Sequence, residues 1–323
     1  MKKLLMILTA FFFAMMVVSC GECEGSDCDV DDNDPATDTE QTDDEGSSMT
    51  LKYKAADEHA DAVSEDIVKA NSDLAMELFS KLSYEESGVN MMISPLSISI
   101  AMAMATNGAS DENLAEMKSV LGFGEMEMSA VNAQFYELIQ SLVEADKDMV
   151  LSIANSVWMD DQFEPGIKEA FLSALKESYE AEPFTLDFAD AGAVDQINSW
   201  VSENTNGKIE EIVKEIGPDV VMYLINAIYF KAAWTVTFDK EKTYDGQFQT
   251  TTAENKTVKM MTFESDQEFE FFSSEGENGY SVIRLPYGRE KFSFYGIIPN
   301  GTGRTIDQFI YEMAQNGLDK YIT

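Results

Sequence analysis

Histidine is nearly absent from this 323-residue chain: His59 is the only one. Zinc hydrolases as a rule take two or three histidines, and serine or cysteine hydrolases need one beside the nucleophile, so those chemistries are set aside. Cysteine is confined to Cys20, Cys23 and Cys28. Everything beyond residue 28 therefore has no disulfide of its own and no thiolate metal site. Positive charge is scarce too. The 22 Lys and Arg stand against 59 Asp and Glu, for a formal charge of −37 and a pI near 4.1. Phosphate backbones are held by clustered Lys and Arg, so nucleic acid is excluded as a partner. Apolar material is not lacking: 45% of the residues are hydrophobic and 11% aromatic, enough for a large buried core.

The first twenty residues read as an address rather than as structure. Lys2 and Lys3 precede an apolar run from Leu4 to Val18, closed by Ser19-Cys20. That is the layout of an export signal, too short for a comfortable membrane span. Its end, Val17-Val18-Ser19-Cys20, resembles the lipobox of bacterial lipoproteins. The resemblance implies cleavage before Cys20 and lipid on its sulfur, which would anchor the chain to a membrane without spanning it. Residues 21–50 hold 12 acids, no Lys or Arg and almost no large apolar side chain. Nothing there offsets the entropy of ordering, so residues 21–60 are expected to be an acidic, disordered tether. The remainder, 61–323, is expected to be one domain. Residues 51–323 keep 47 acids and 20 bases, a charge of −27, so the acidity belongs to the domain and would attract basic partners.

Within that domain the spacing of Ile67, Leu74, Leu78, Phe79 and Leu82 predicts a helix. Val89 to Ile93 suggests a short buried strand. Ser94-Pro95 then opens a helix to about Thr106, Ser as cap and Pro in the first turn. It is apolar nearly all round, as a buried helix is. Further helices are expected over Asp111–Leu121, capped by Asp111 and stopped by Gly122, around Val131–Leu142, and from Pro165 to Tyr179. Another is expected over Val194–Val213, interrupted at Asn206-Gly207. Met149–Met159, Phe184–Phe188 and Val220–Phe230 read as strands, the last so uninterruptedly apolar that it is placed in the middle of a sheet. Five shorter strand-like runs follow between Phe248 and Ile298, then a helix over Ile306–Met313. Helices first and strands later, without strict alternation, predict an α+β fold.

Several blocks occur in a telling order. They are Asn71-Ser72-Asp73-Leu74-Ala75, then Ile93-Ser94-Pro95-Leu96-Ser97-Ile98-Ser99, then Ile153-Ala154-Asn155-Ser156-Val157-Trp158. Thr205-Asn206-Gly207-Lys208-Ile209 and Leu224-Ile225-Asn226-Ala227-Ile228-Tyr229-Phe230-Lys231 follow, with Trp234, Val258-Lys259-Met260-Met261 and Leu285-Pro286-Tyr287 after them. In this order and spacing they resemble the serpins, the serine protease inhibitor family. The resemblance implies N-terminal helices packed on a large central β-sheet, with further sheets beside it. It implies a suicide mechanism, in which a protease cleaves a reactive loop, is held as an acyl-enzyme, and is carried along as the loop inserts into the central sheet. Ser94, Ser97 and Asn226 match the positions called the shutter, where that sheet opens, and Trp234 matches the tryptophan of the breach above it. Buried hydroxyls and amides must be hydrogen-bonded, so such a trio would hold the strands in one geometry. Asn226 in particular stands mid-run in an apolar strand.

Two departures accompany the resemblance. Ala232 stands where the family has Gly after the lysine, which leaves the local turn open. The family's shutter histidine, hinge, reactive loop and last strands would lie beyond Thr323, so the chain is expected to be truncated before the reactive loop. The target would be a serine protease, or a cysteine protease, and the catalytic nucleophile would belong to it: this chain is expected to be no enzyme and to need no cofactor or metal. Gly301-Thr302-Gly303-Arg304-Thr305 lacks the spacer and lysine of a phosphate loop and reads as a surface turn. The alternative from another class is a non-inhibitory, acidic surface module that binds basic peptides.

Overall fold

A computed structural model describes residues 59–86, 88–250, 255–262, 269–276, 278–300 and 304–322. The expected export signal, Cys20 and nearly all of the expected acidic tether lie outside these residues. The chain is helical from His59 to Ala62. Ser64 then caps α1 (Glu65–Glu85), its Oγ accepting from the Ile67 amide at 3.4 Å, with Glu65 and Asp66 in the positive first turn. The other helices are α2 (Pro95–Thr106), α3 (Asp111–Val120), α4 (Met128–Val143), α5 (Glu169–Tyr179), α6 (Ala193–Asn204), α7 (Ile306–Asn316) and the single turn α8 (Asp319–Ile322). The strands are β1 (Met149–Asp160), β2 (Glu182–Leu186), β3 (Met222–Ala232), β4 (Tyr244–Gln249), β5 (Asn255–Met260), β6 (Glu270–Ser273), β7 (Tyr280–Tyr287) and β8 (Phe292–Pro299). This is an α+β fold.

Three sheets form among the described residues: β2-β1-β3, the hairpin β4-β5, and the antiparallel β6-β7-β8. The first positions the site. β1 runs antiparallel to β3 over eleven residue pairs and parallel to β2 over five. Alternate residues of β1 and β3 point to opposite faces, and each face has its own core. Val157, Met159 and Leu224 join Ile67, Ile100, Met104, Phe135 and Tyr179 under α1, α2, α4 and α5. Trp158, Tyr223, Ile225 and Ala227 join Ile197, Trp200 and Val201 of α6 on the opposite side, where Trp158 stacks on Phe184 at 4.1 Å. A third core sets α7 on α1 through Phe309, Met313 and Met76, and Ser83 Oγ donates to Asp307 there at 2.9 Å.

Several expectations are corrected. Val89–Ile93 is no strand: Val89 is 61% exposed and the segment makes one isolated bridge, at Ile93, because no ladder of a partner strand runs beside it among the described residues. β3 has one strand neighbour, β1, among those residues, where a place in mid-sheet was expected, and helices cover both its faces. The helix predicted to Val213 ends at Asn204. Asn206 (φ 51°) and Gly207 (φ 71°) turn the chain into the left-handed region, and the Asn198 side chain binds the amides of Ile212 and Val213 and the Val213 carbonyl, holding the irregular stretch. Pro165 sits in a short 3₁₀ turn, and α5 begins at Glu169. The N-cap of α3 is Ser110 rather than Asp111, and it makes no side-chain cap bond. Gly122 does end that region, as expected: its φ is +71°, and a Cβ there would meet the Ala70 Cβ at 3.0 Å.

Candidate functional site

Four polar side chains meet where α2 passes beneath β3 and β1. Ser94, Ser97, Asn155 and Asn226 are exposed by only 0, 1, 2 and 2%, so none can satisfy its hydrogen bonds with bulk water. Ser94 caps α2: its backbone is extended, Pro95 follows in the first turn, and its Oγ accepts from the Ser97 amide at 3.4 Å. Capping one turn below the strand brings Ser97 up to the sheet, where its hydroxyl donates to Asn226 Oδ1. Asn226 Nδ2 donates to Asn155 Oδ1 at 2.7 Å. Asn155 and Asn226 are directly opposed in the β1–β3 register, and both point to the α2 face, the side of Leu224 and Val157. Asn155 Nδ2 then donates to the carbonyl of Tyr179 at the end of α5, again at 2.7 Å.

Ser97 and Asn226 are thus brought into direct contact, and Ser94 positions Ser97. Trp234 stands apart from them. It lies beyond β3, half-buried, stacked on Tyr287 at 4.4 Å with an interplanar angle of 16° and edge-on to Phe238 and Phe294. A single antiparallel bridge pairs it with Tyr287 and so ties the end of β3 to β7. Burial pushes the Tyr287 phenol up from its ordinary range. Ala232 is the last residue of β3 and does not enter the left-handed region, so no glycine-type turn is needed there.

Asn155 was not singled out from the sequence, although the signal existed: it sits between Ala154 and Ser156 inside a strand that is otherwise largely apolar, the same sign that marked Asn226. Tyr179 gave no such sign, since a tyrosine at the end of a helix reads as packing. It is fully buried. Its hydroxyl donates to Asn132 Oδ1 at 2.8 Å, and burial pushes its pKa well above the ordinary phenol value, an effect that a hydrogen bond with Asn107 partly opposes.

Among the described residues, Asp160, Asp161 and Asp187 place carboxylate oxygens within 4.8 Å of one another. Asp160 accepts from the amides of Gln162 and Phe188, while Asp161 and Asp187 are exposed, as in an acidic surface turn. No helix among the described residues is long and apolar enough to cross a membrane.

The model of one family, Serpin (serine protease inhibitor), matches residues 69–323, most of the chain and all three sheets. The chain belongs to the serpin family. Serpin A3-2 of Bos taurus is 29% identical over 254 residues, covering 78% of this chain and 61% of its own length. Thyroxine-binding globulin of Sus scrofa is 32% identical over 237 residues, 71% and 55% of the two chains. Among solved structures, the thermophilic serpin tengpin in its native state superimposes with a TM-score of 0.67 at 30% identity, over 80% of this chain and 63% of that one. The chain spans 53–62% of the length of the curated relatives most similar to it. Serpins are generally protease inhibitors rather than enzymes.

Proposed function

We propose that this chain is the N-terminal part of a serpin-type protease inhibitor, exported as a bacterial lipoprotein and held at the cell envelope or surface through Cys20. The parent would be cleaved in a reactive loop that follows these residues. The serine hydroxyl (or cysteine thiol) of the target attacks the loop carbonyl, the peptide C–N bond breaks, and the new amine leaves with a proton. Insertion of the loop beside β3 then distorts the protease before water can cleave the acyl bond. The catalytic nucleophile is the protease's own. Ser94, Ser97 and Asn226 would be the shutter at which the sheet yields, and Trp234 the breach where insertion starts.

The observation that supports this reading most directly is the buried contact of Ser97 with Asn226. An apolar pair would pack there at no risk, whereas a buried amide demands partners in one arrangement. That suits a sheet that must stay shut until a defined event. A second reading has its own support: one relative is named for binding thyroxine, and the body carries −27. On that reading the protein is a non-inhibitory, acidic surface module.

One experiment separates the two. The chain is extended with the C-terminal region of a serpin homologue and incubated with a panel of serine and cysteine proteases. An inhibitor yields a complex that survives boiling in detergent, and cleavage of its loop raises the unfolding temperature. Clean cleavage with neither effect would sink the inhibitor reading in favour of the binding module.

A further inference from the structure

The hydrogen bonds around Asn226 have a direction, and it starts from a group that can only accept. The Tyr179 carbonyl has no proton to give, so Asn155 must present Nδ2 to it. Asn155 Oδ1 then faces the opposite way and accepts from Asn226 Nδ2. This turns Asn226 Oδ1 toward α2, where it accepts from Ser97 Oγ. Two amides and one hydroxyl take their orientation from one backbone carbonyl.

A second arm leaves the same tyrosine. Its hydroxyl donates to Asn132 on α4 at 2.8 Å. Asn132 and Asn107 exchange amide bonds of 2.7 and 2.9 Å, and Asn107 Nδ2 also donates to the Ala103 carbonyl of α2 at 3.0 Å. Asn107 is the C-cap of α2. The helix is therefore gripped at both ends, at Ser97 and at Asn107, by arms that meet on Tyr179.

We propose that Asn155 is a positioning residue for sheet opening: it transmits the orientation of the Tyr179 carbonyl to the Asn226 amide and locks β1 and β3 into one body over α2. The role in sheet opening rests on the insertion mechanism proposed above, but the relay itself is testable without any protease. Failure of one is therefore distinguishable from failure of the other.

The test is Asn155→Asp in the full chain, with Asn155→Leu beside it and wild type measured at each pH. An ionised carboxylate sets oxygen against the Tyr179 carbonyl; a protonated one can donate there and rebuild the relay. Burial and the opposed carbonyl raise the pKa of the introduced carboxyl in the folded protein above its unfolded value, so its stability is present at low pH and lost as pH rises. The drop in unfolding temperature caused by Asn155→Asp should shrink by about half or more between roughly pH 7.5 and pH 5.0, and that of Asn155→Leu should stay constant. The Tyr179 phenol, pushed up by burial, titrates well above this window. Parallel behaviour of the two variants would overturn the proposal. Folding of Asn155→Asp at the lower pH alone is the expected result in its strongest form. If it folds at neither, the wild type decides through asparagine-selective 15N labelling. The side-chain amide protons of Asn155 and Asn226 should exchange about a hundredfold more slowly than those of Asn316, which lies at the end of α7. Comparable rates would overturn the relay.

Discussion

Replacing Asn226 with alanine removes one side chain and strands two others. The Ser97 hydroxyl loses its acceptor and Asn155 Oδ1 loses its donor, both in a site from which water is excluded. An unsatisfied buried polar group costs about 1–3 kcal/mol. Two of them would come to roughly 4 kcal/mol at mid-range, less whatever a water entering the vacated space restores, so the expected loss is about 2–4 kcal/mol. At roughly 2–4 °C per kcal/mol for a domain of this size, the unfolding temperature should fall by about 4–16 °C. Urea unfolding at constant m-value measures the loss directly, because a changed slope would signal an altered native or denatured state instead. When the chain is extended with the C-terminal region of a serpin homologue, the same variant should form polymers on mild heating. Asp38→Ala, in the segment expected to be an acidic tether, should do neither. A loss below about 0.5 kcal/mol, the scale of an ordinary surface substitution, would refute the reasoning: the Asn226 amide would then be a tolerated strand residue and not a strut.

Cys20→Ala should abolish incorporation of labelled fatty acid and leave the protein uncleaved or soluble; absence of label from the wild type would defeat the lipoprotein reading. Tyr179→Phe should cost about 1 kcal/mol, since Asn132 Oδ1 keeps a second donor in Asn107. It should also flatten the alkaline limb of the stability profile. Burial raises the folded-state pKa of Tyr179, so the unfolded chain releases that proton first, near pH 10, and stability declines as pH rises beyond it. A wild type and a Tyr179→Phe variant losing stability in parallel above about pH 10 would remove Tyr179 from that titration. Gly122→Ala should destabilise by about 1–2 kcal/mol in urea, because φ is +71° and the new methyl would meet Ala70; a neutral outcome would mean that α1 shifts freely at that contact.

Elements with a local cause could be read directly from the residues. Ser94-Pro95 starts a helix because a serine hydroxyl caps it and proline's fixed φ suits its first turn, whatever lies around them. Gly122 ends one because only glycine takes that φ cheaply. The apolar residues of Met149–Met159 already read as a strand, which β1 is. The ordered blocks from Asn71 to Tyr287 were enough to indicate the family, and the lone amide in Leu224–Phe230 to mark Asn226. Pairing could not be read that way, because it depends on which segments meet in the folded chain. Val89–Ile93 had strand composition but no ladder beside it among the described residues, and a strand exists only through its neighbour. The helix expected to Val213 lost its last turns to the Asn198 side chain, a contact between residues fourteen and fifteen apart. Asn155 could be read as polar in a strand, but not as the residue facing Asn226, since that depends on the register of two strands 71 residues apart in sequence. The orientation of all three relay side chains hangs on the Tyr179 carbonyl, and a backbone carbonyl has no letter in the sequence. Its role follows from where the end of α5 comes to rest against β1, which packing of the whole helical layer decides.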